Sequence, residues 1–391
     1  MNNKSIKANK VLQIIKHVLR TEREEIQLHE PSFTGNEWNY MKDCLDSTFV
    51  SSVGEYVDRF EAMLSDYTGL KKAVAVVNGT SALHIALKLV GVERTDEVLI
   101  PALTFVATAN AVSYLGAVPH LIDCEERTLG IDPIKLNEYL DRNTELRDGQ
   151  CYNVHTKRRI RAVVPVHIFG HPVDLDSLWE LCRRFHLEMV EDATESLGSF
   201  YKEKHTGHWG ECSVISFNGN KIITTGGGGA ILTNNEELAN TAKHLTTTAK
   251  VSHKWEFYHD QIGYNYRMPN INATLGCAQL EQLAPFLKRK RDLANKYAQA
   301  FENLESIRFF VEPEFARSNY WLNAILTEDG LTTRDAILEI TNKNGVMTRP
   351  VWTPMHKLPM YQNSPKMDLS VTDNLATRLI NIPSSPYHNL L

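Results

Sequence analysis

Cysteine is scarce in this chain of 391 residues, and its six copies (Cys44, Cys124, Cys151, Cys182, Cys212 and Cys277) form no C-x-x-C pair and no Cys/His spacing. That pattern argues against a disulfide framework or a zinc site and for reduced, buried thiols. Charge of one sign is also lacking. The net charge is −5 with Lys, Arg, Asp and Glu well mixed, so there is no basic stripe for nucleic acid and no acidic tail. The basic N-terminus MNNKSIKANKVLQIIKHVLRTEREE has lysines interrupting its apolar positions. It reads as neither a signal peptide nor a spanning helix, which needs ~20 apolar residues. Ile14, Ile15, Val18 and Leu19 recur at helical spacing, so an amphipathic first helix that packs on the body of a cytoplasmic protein is expected. The P-loop pattern is missing, and the glycines at 226–229 do not spell G-x-G-x-x-G before a helix, which excludes a dinucleotide fingerprint there. No repeat of 20–50 residues and no low-complexity tract occurs.

What is present is a globular composition, 42% hydrophobic and 23% charged, in a regular rhythm. The β-rich runs AVAVVN (73–78), EVLIP, AVPHLIDC, IRAVVPV and LEMVEDA are separated by helical segments such as TSALHIALKLVG and DLDSLWELCRRFH. Strands alternating with helices predict an α/β fold with a mostly parallel sheet covered on both faces. Beyond about residue 270 the texture changes to one or two long helices followed by a small α+β unit. We therefore expect an N-terminal helical segment (1–30), a large α/β domain (31–270) and a small C-terminal α+β domain (271–391).

Ligands of open α/β sheets bind beyond the carboxyl ends of the strands, which directs attention to four places. In NGTSAL (78–83) a strand ends at Asn78-Gly79 and a helix begins at Thr80-Ser81; free backbone N–H groups, the helix dipole and two hydroxyls suit an anion, although a plain helix cap uses the same residues. Phe105 follows EVLIP and suits the face of a planar ring, or simply the core. In VEDATESLGS a hydrophobic strand runs into Glu191 and Asp192; a buried carboxylate there needs donors or a positive partner, such as a protonated pyridine nitrogen. Finally, SFNGNKIITTGGGG places Ser216 and Lys221 before four glycines that permit close backbone approach.

Taken in order, these features match what pyridoxal phosphate requires. Gly79, Thr80, Ser81 and Ser216 would cradle the phosphate, Phe105 would cover the ring, Asp192 would hold the ring nitrogen, and the Lys221 amine would join the aldehyde.

The ordered set NGTSALHIAL, PALTFVATANAV, VHIFGHPVDLDSL, VEDATESLGS, SFNGNKIITTGGGG and YNYRMPNINATLGCAQL resembles the DegT-like sugar aminotransferases, pyridoxal phosphate enzymes of fold type I, over residues 27–391. Together with LHEPSFTGNEW (28–38), the lysine segment is most similar to enzymes that aminate C4 of a UDP-linked 2-acetamido-2,6-dideoxy-4-keto-hexose, in legionaminic acid or bacillosamine biosynthesis for bacterial surface glycans. A GDP- or dTDP-linked 4-keto-6-deoxyhexose is the alternative acceptor. The resemblance implies glutamate as amino donor and a homodimer, or a dimer of dimers, with shared active sites. It further implies that Asn265 reaches the partner's cofactor phosphate, that Arg267 lies near the substrate diphosphate or the interface, and that His356 lines the sugar pocket.

Two positions depart from the family. Glu195 stands where many relatives carry Gln beside the cofactor, and Gly227 stands where many carry Glu. Three other functions compete with this reading. A dehydratase on the same fold needs His in place of Lys221, a non-catalytic binding protein would not need the lysine and aspartate, and an NAD-dependent sugar enzyme needs a glycine fingerprint in its first βα turn.

Overall fold

The computed structural model describes residues 3–21 and 23–386, so the ends of the expected terminal units lie outside the described residues. The alternating runs assemble one sheet whose main path has seven strands: β1 (Lys72–Val76), β2 (Glu97–Pro101), β3 (Val118–Ile122), β4 (Arg159–Val163), β5 (Glu188–Asp192), β6 (Cys212–Ser216) and β7 (Gly229–Thr233). Their order in space is β1-β7-β6-β5-β4-β2-β3. From β6 to β3 every pairing is parallel, whereas β7 runs antiparallel to both β1 and β6. A hairpin, Thr144–Arg147 with Gln150–Asn153, extends the sheet antiparallel from β4; its strands are short and partly exposed, and no hydrophobic run in the sequence marks them.

Alternation within each strand explains the two-faced cover. Val74 and Val76 of β1 face the helices Gly79–Leu89 and Glu236–Thr246, while Ala73 and Ala75 face the helices Glu55–Thr68 and Asn270–Glu281. Farther along, Leu99, Val163 and Met189 pack with the helices Pro133–Asn143 and Leu175–Phe185. Each strand is buried on both sides, as its hydrophobic run requires.

Packing redraws the expected domain borders. The helix Asn270–Glu281, assigned from sequence to the C-terminal unit, shares a core with Phe60 and Phe217 of the large one. The long helical stretch breaks at Gln282, and its second half, Leu283–Phe301, leads to an antiparallel sheet of Ile307–Phe309, Asn323–Thr327, Leu379–Ile382 and Arg349–Pro350 in that order. The first helix, Asn3–Leu19, is not a separate segment. Its buried face, Val11, Ile15 and Leu19, packs with Leu293, Ile325 and Ile337 in the core of this smaller sheet.

Candidate active site

The antiparallel turn of β7 brings the decisive segments together. The end of β1 and the end of β6 both abut the start of β7, because Val76 and Ser216 each pair with Gly229. A Cβ at Gly229 would lie 2.6 Å from the Asn78 carbonyl carbon, and one at Gly79 would lie 3.0 Å from Ser216 Cβ and 3.2 Å from Thr194 Cγ2. Glycine is thus required for close approach.

Above this junction opens a cavity of about 310 Å³, lined among others by Gly79, Thr80, Phe105, Asp192, Glu195, Ser216 and Lys221. Its size falls at the lower end of the ~300–1,000 Å³ found for small-molecule sites. A wider groove of about 840 Å³ between the first helix and Leu283–Phe301 is lined by Lys10, His17 and Lys296 among others.

At one wall, the helix Gly79–Leu89 points its N-terminus into the cavity. Asn78 caps it, its side chain accepting from Ser81 N at 2.7 Å. Ser81 contributes its backbone N–H to this cap and does not line the cavity, whereas Gly79, Thr80 and Ser216 do. The remaining free N–H groups and the dipole make this wall fit a phosphate.

Asp192 ends β5 with its side chain in the cavity and nearly inaccessible to solvent. Thr108 Oγ1 donates to Oδ2 at 2.9 Å, and Thr194 donates to Oδ1 from its hydroxyl at 2.6 Å and its N–H at 3.2 Å. Three neutral donors satisfy the carboxylate and leave it without a cationic partner among the described residues. Such a carboxylate suits a protonated ring nitrogen.

Next to it in chain order, Glu191 points the other way, into the body. Its oxygens accept from His167 Nε2 at 3.2 Å and from the N–H groups of Gly207, Trp209 and Gly210. It holds the loop after β5 rather than a ligand.

Lys221 lies in the loop after β6, its Nζ 3.2 Å from Glu195 Oε1 and 3.8 Å from the centre of the Trp321 ring. The Trp321 indole N–H donates to the Asn220 carbonyl at 2.7 Å, which ties the ring to the lysine loop. The second Glu195 oxygen accepts Phe169 N–H at 2.8 Å. Burial pushes the Glu195 carboxyl above its ordinary range, with the Lys221 charge and the Phe169 N–H opposing the rise. Phe105 stands at the mouth, 51% exposed, beside Trp352 with ring centres 6.2 Å apart.

Asn265, expected at the partner's cofactor, Arg267, expected near the substrate diphosphate or the interface, and His356, expected in the sugar pocket, lie outside the lining of this cavity. Asn265 is exposed, bridged to Thr247. Arg267 is buried against Glu61, with which it forms a close ion pair, and donates to the Ala75 carbonyl at 3.0 Å; in this chain its guanidinium is engaged in holding the helix Glu55–Thr68 to β1. His356 sits in the short turn Met355–Lys357 and meets Asp373 at 3.1 Å. In the other direction, the cavity includes Thr108, Thr194, Trp321 and Trp352, which were not singled out from sequence. Thr108 and Thr194 could have been found by asking which donors Asp192 needs; the tryptophans arrive from distant segments and leave no local signal.

The family model described as "DegT/DnrJ/EryC1/StrS aminotransferase family" matches residues 31–389. The GDP-perosamine synthase of Escherichia coli O157:H7 is 36% identical over 361 residues, covering 92% of this chain and 93% of that protein. The GDP-perosamine synthase of Caulobacter vibrioides is also 36% identical, over 363 residues, with the same coverage of 92% and 93%. Among solved structures, Helicobacter pylori PseC, an aminotransferase involved in the biosynthesis of pseudoaminic acid, is similar with a TM-score of 0.83 and 25% identity, over 94% of this chain and 95% of that one.

Proposed function

The chain belongs to the DegT/DnrJ/EryC1/StrS aminotransferase family, and from that premise we propose that it transfers an amino group from glutamate to the C4 ketone of a GDP-linked 4-keto-6-deoxyhexose. It is a pyridoxal phosphate-dependent nucleotide-sugar aminotransferase; the donor and the acceptor are our reading. The near full-length similarity to two GDP-perosamine synthases carries the choice of acceptor, and it favours the GDP-linked alternative over the UDP-linked acetamido sugar suggested by the lysine segment.

The residues present fit the cofactor. Gly79, Thr80 and Ser216 would hold its phosphate, Asp192 its ring nitrogen, Phe105 its ring, and Lys221 its aldehyde carbon. When bound, pyridoxal phosphate supplies a positively charged ring that accepts the electron pair left as a proton departs the donor's α-carbon. The protein's part is to place groups. Thr108 and Thr194 orient Asp192 toward the cavity, and Lys221 Nζ, once free, takes up and returns the proton of the reacting carbon. Trp321 and Trp352 narrow the entrance and exclude water from that transfer.

In the assembly we propose, a homodimer, Asn265 reaches the partner's cofactor phosphate. His356 would line the sugar pocket, and Met355 N–H ties its turn to the Ala102 carbonyl just after β2. All six cysteines are buried and unpaired, in keeping with a reducing compartment, and we place the reaction in the cytoplasm. No helix among the described residues is long and apolar enough to cross a membrane. The lysine argues against the dehydratase alternative, which needs histidine at position 221.

The test is direct. The purified protein, loaded with pyridoxal phosphate and glutamate, is offered GDP-4-keto-6-deoxyhexose and, in parallel, the UDP-linked 2-acetamido-4-keto sugar, and amino-sugar product is measured by mass spectrometry. Amination of the GDP sugar supports the reading; amination of the UDP sugar alone overturns the acceptor, and no product from either overturns the donor–acceptor pair.

A further inference from the structure

Glu195 is the one carboxylate in contact with the Lys221 amine among the described residues. The side chains of both are largely shielded, at 4% and 12% exposure. The groups around Glu195 come from four segments: Lys221 from the loop after β6, Asp192 from the end of β5, the Phe169 N–H from the turn Ile168–Gly170, and Trp321, whose ring covers the far side of Lys221 Nζ. Phe169 adopts a left-handed backbone (φ 57), a conformation unfavourable for a bulky residue and held by its surroundings. Its N–H donates to Glu195 Oε2 at 2.8 Å, and the other oxygen, Oε1, faces the lysine at 3.2 Å.

We propose that Glu195 is a positioning residue that receives the proton Lys221 gives up when its nitrogen becomes a free amine. The inference rests on the reading of Lys221 as the residue that joins the cofactor.

In the transfer, one N–H bond of the Lys221 ammonium breaks, an O–H bond forms at Glu195 Oε1, and the electron pair stays on Nζ. The pair keeps zero net charge throughout, and no redox partner is involved. In a shielded site, two neutral groups compete well with two charges, because desolvating both ions offsets much of their attraction. Lys221 can thus become nucleophilic without sending a proton to bulk water. The consequence is a pH signature. Between the titrations of a carboxyl and an amine, the fraction of free amine reached by internal transfer does not change with pH. A lysine without this partner gains free amine about tenfold per pH unit.

The experiment measures the rate at which cofactor-free protein captures pyridoxal phosphate, followed by the absorbance of the lysine-bound cofactor, between about pH 7 and pH 9. Native protein is compared with Glu195→Gln, which keeps an oxygen for the Phe169 N–H. Taking the ratio of the two rates cancels the titrations of the cofactor itself. We expect the ratio of native to variant to fall about tenfold per pH unit. A ratio that stays constant with pH overturns the proposal. Should the variant not fold, N-acetyl-lysine in solution serves as the reference amine, with the same expected fall and the same overturning result. Capture by Lys221→Ala at the native rate would instead overturn the reading of Lys221, and with it the inference; because the glutamine ratio is measured with the lysine in place, the two failures are distinguishable.

Discussion

Thr108 donates its hydroxyl to Asp192 Oδ2 at 2.9 Å, across 84 positions of sequence. The bond joins the helix that follows β2 to the end of β5, so it reports that the cavity is correctly closed. Replacing Thr108 by Val removes the donor and keeps the shape. A buried carboxylate deprived of one donor costs about 1–3 kcal/mol, and Thr108→Val is expected to lower the urea midpoint accordingly and to weaken binding of pyridoxal phosphate. Unchanged stability and unchanged affinity would show that Thr194 suffices.

Lys221→Ala is expected to abolish amino-sugar formation. The check is single-turnover product analysis with cofactor and glutamate supplied; undiminished amine transfer would remove Lys221 from the chemistry.

Two glycines of the same run are expected to behave differently. A Cβ at Gly229 would meet the Asn78 backbone at 2.6 Å and Gly79 N at 2.8 Å, whereas one at Gly227 would meet only the Val77 carbonyl, at 3.8 Å. Gly229→Ala should destabilise by about 1–3 kcal/mol through forced backbone shifts, and Gly227→Ala should stay within about 0.5 kcal/mol. Thermal unfolding of the pair of variants tests this, and equal losses would refute the packing argument.

Arg267 gives a test of structural against substrate-binding roles. Removing one partner of a buried ion pair costs about 3–5 kcal/mol, so Arg267→Ala should unfold at markedly lower denaturant. The paired change Glu61→Gln with Arg267→Met should recover part of the loss. If Arg267→Ala leaves stability intact and raises only the KM for the nucleotide sugar, the guanidinium serves the substrate.

Glu191 determines a pH response. Burial would push its carboxyl up, but the hydrogen bond and charge of His167 and the N–H groups of Gly210 and Gly207 outweigh burial and hold it below the ordinary carboxylate range. In the unfolded chain it returns to about 4.3. A group lowered on folding contributes stability above its unfolded value and loses it as pH falls through the folded value. The stability gap between native protein and Glu191→Gln should therefore be full at about pH 7 and shrink below about pH 4. A gap that is the same at both would mean that Glu191 contributes only shape.

Local chemistry was legible without coordinates wherever a strand, a turn and a helix follow one another in the chain. Gly79, Thr80, Phe105, Asp192, Ser216 and Lys221 all sit at the carboxyl ends of strands, where the alternating pattern placed them, and they line one cavity. Ser81 shows the limit even there, since it follows Thr80 in the chain yet lies outside the cavity that Thr80 lines.

The sequence by itself determined the alternation of strands and helices, the two-sided burial of the sheet and the placing of a lysine and a carboxylate after neighbouring strands, because periodicity and turn chemistry act between near neighbours. Only the tertiary structure decided that β7 turns antiparallel and seats Gly229 on Asn78, that the first helix belongs to the smaller sheet's core, that Arg267 answers Glu61, and that Glu195 and Trp321 enclose Lys221. Those outcomes depend on which distant surfaces can be buried together, and a contact between residues some 200 positions apart, such as Arg267 with Glu61, leaves no period or spacing in the chain to read.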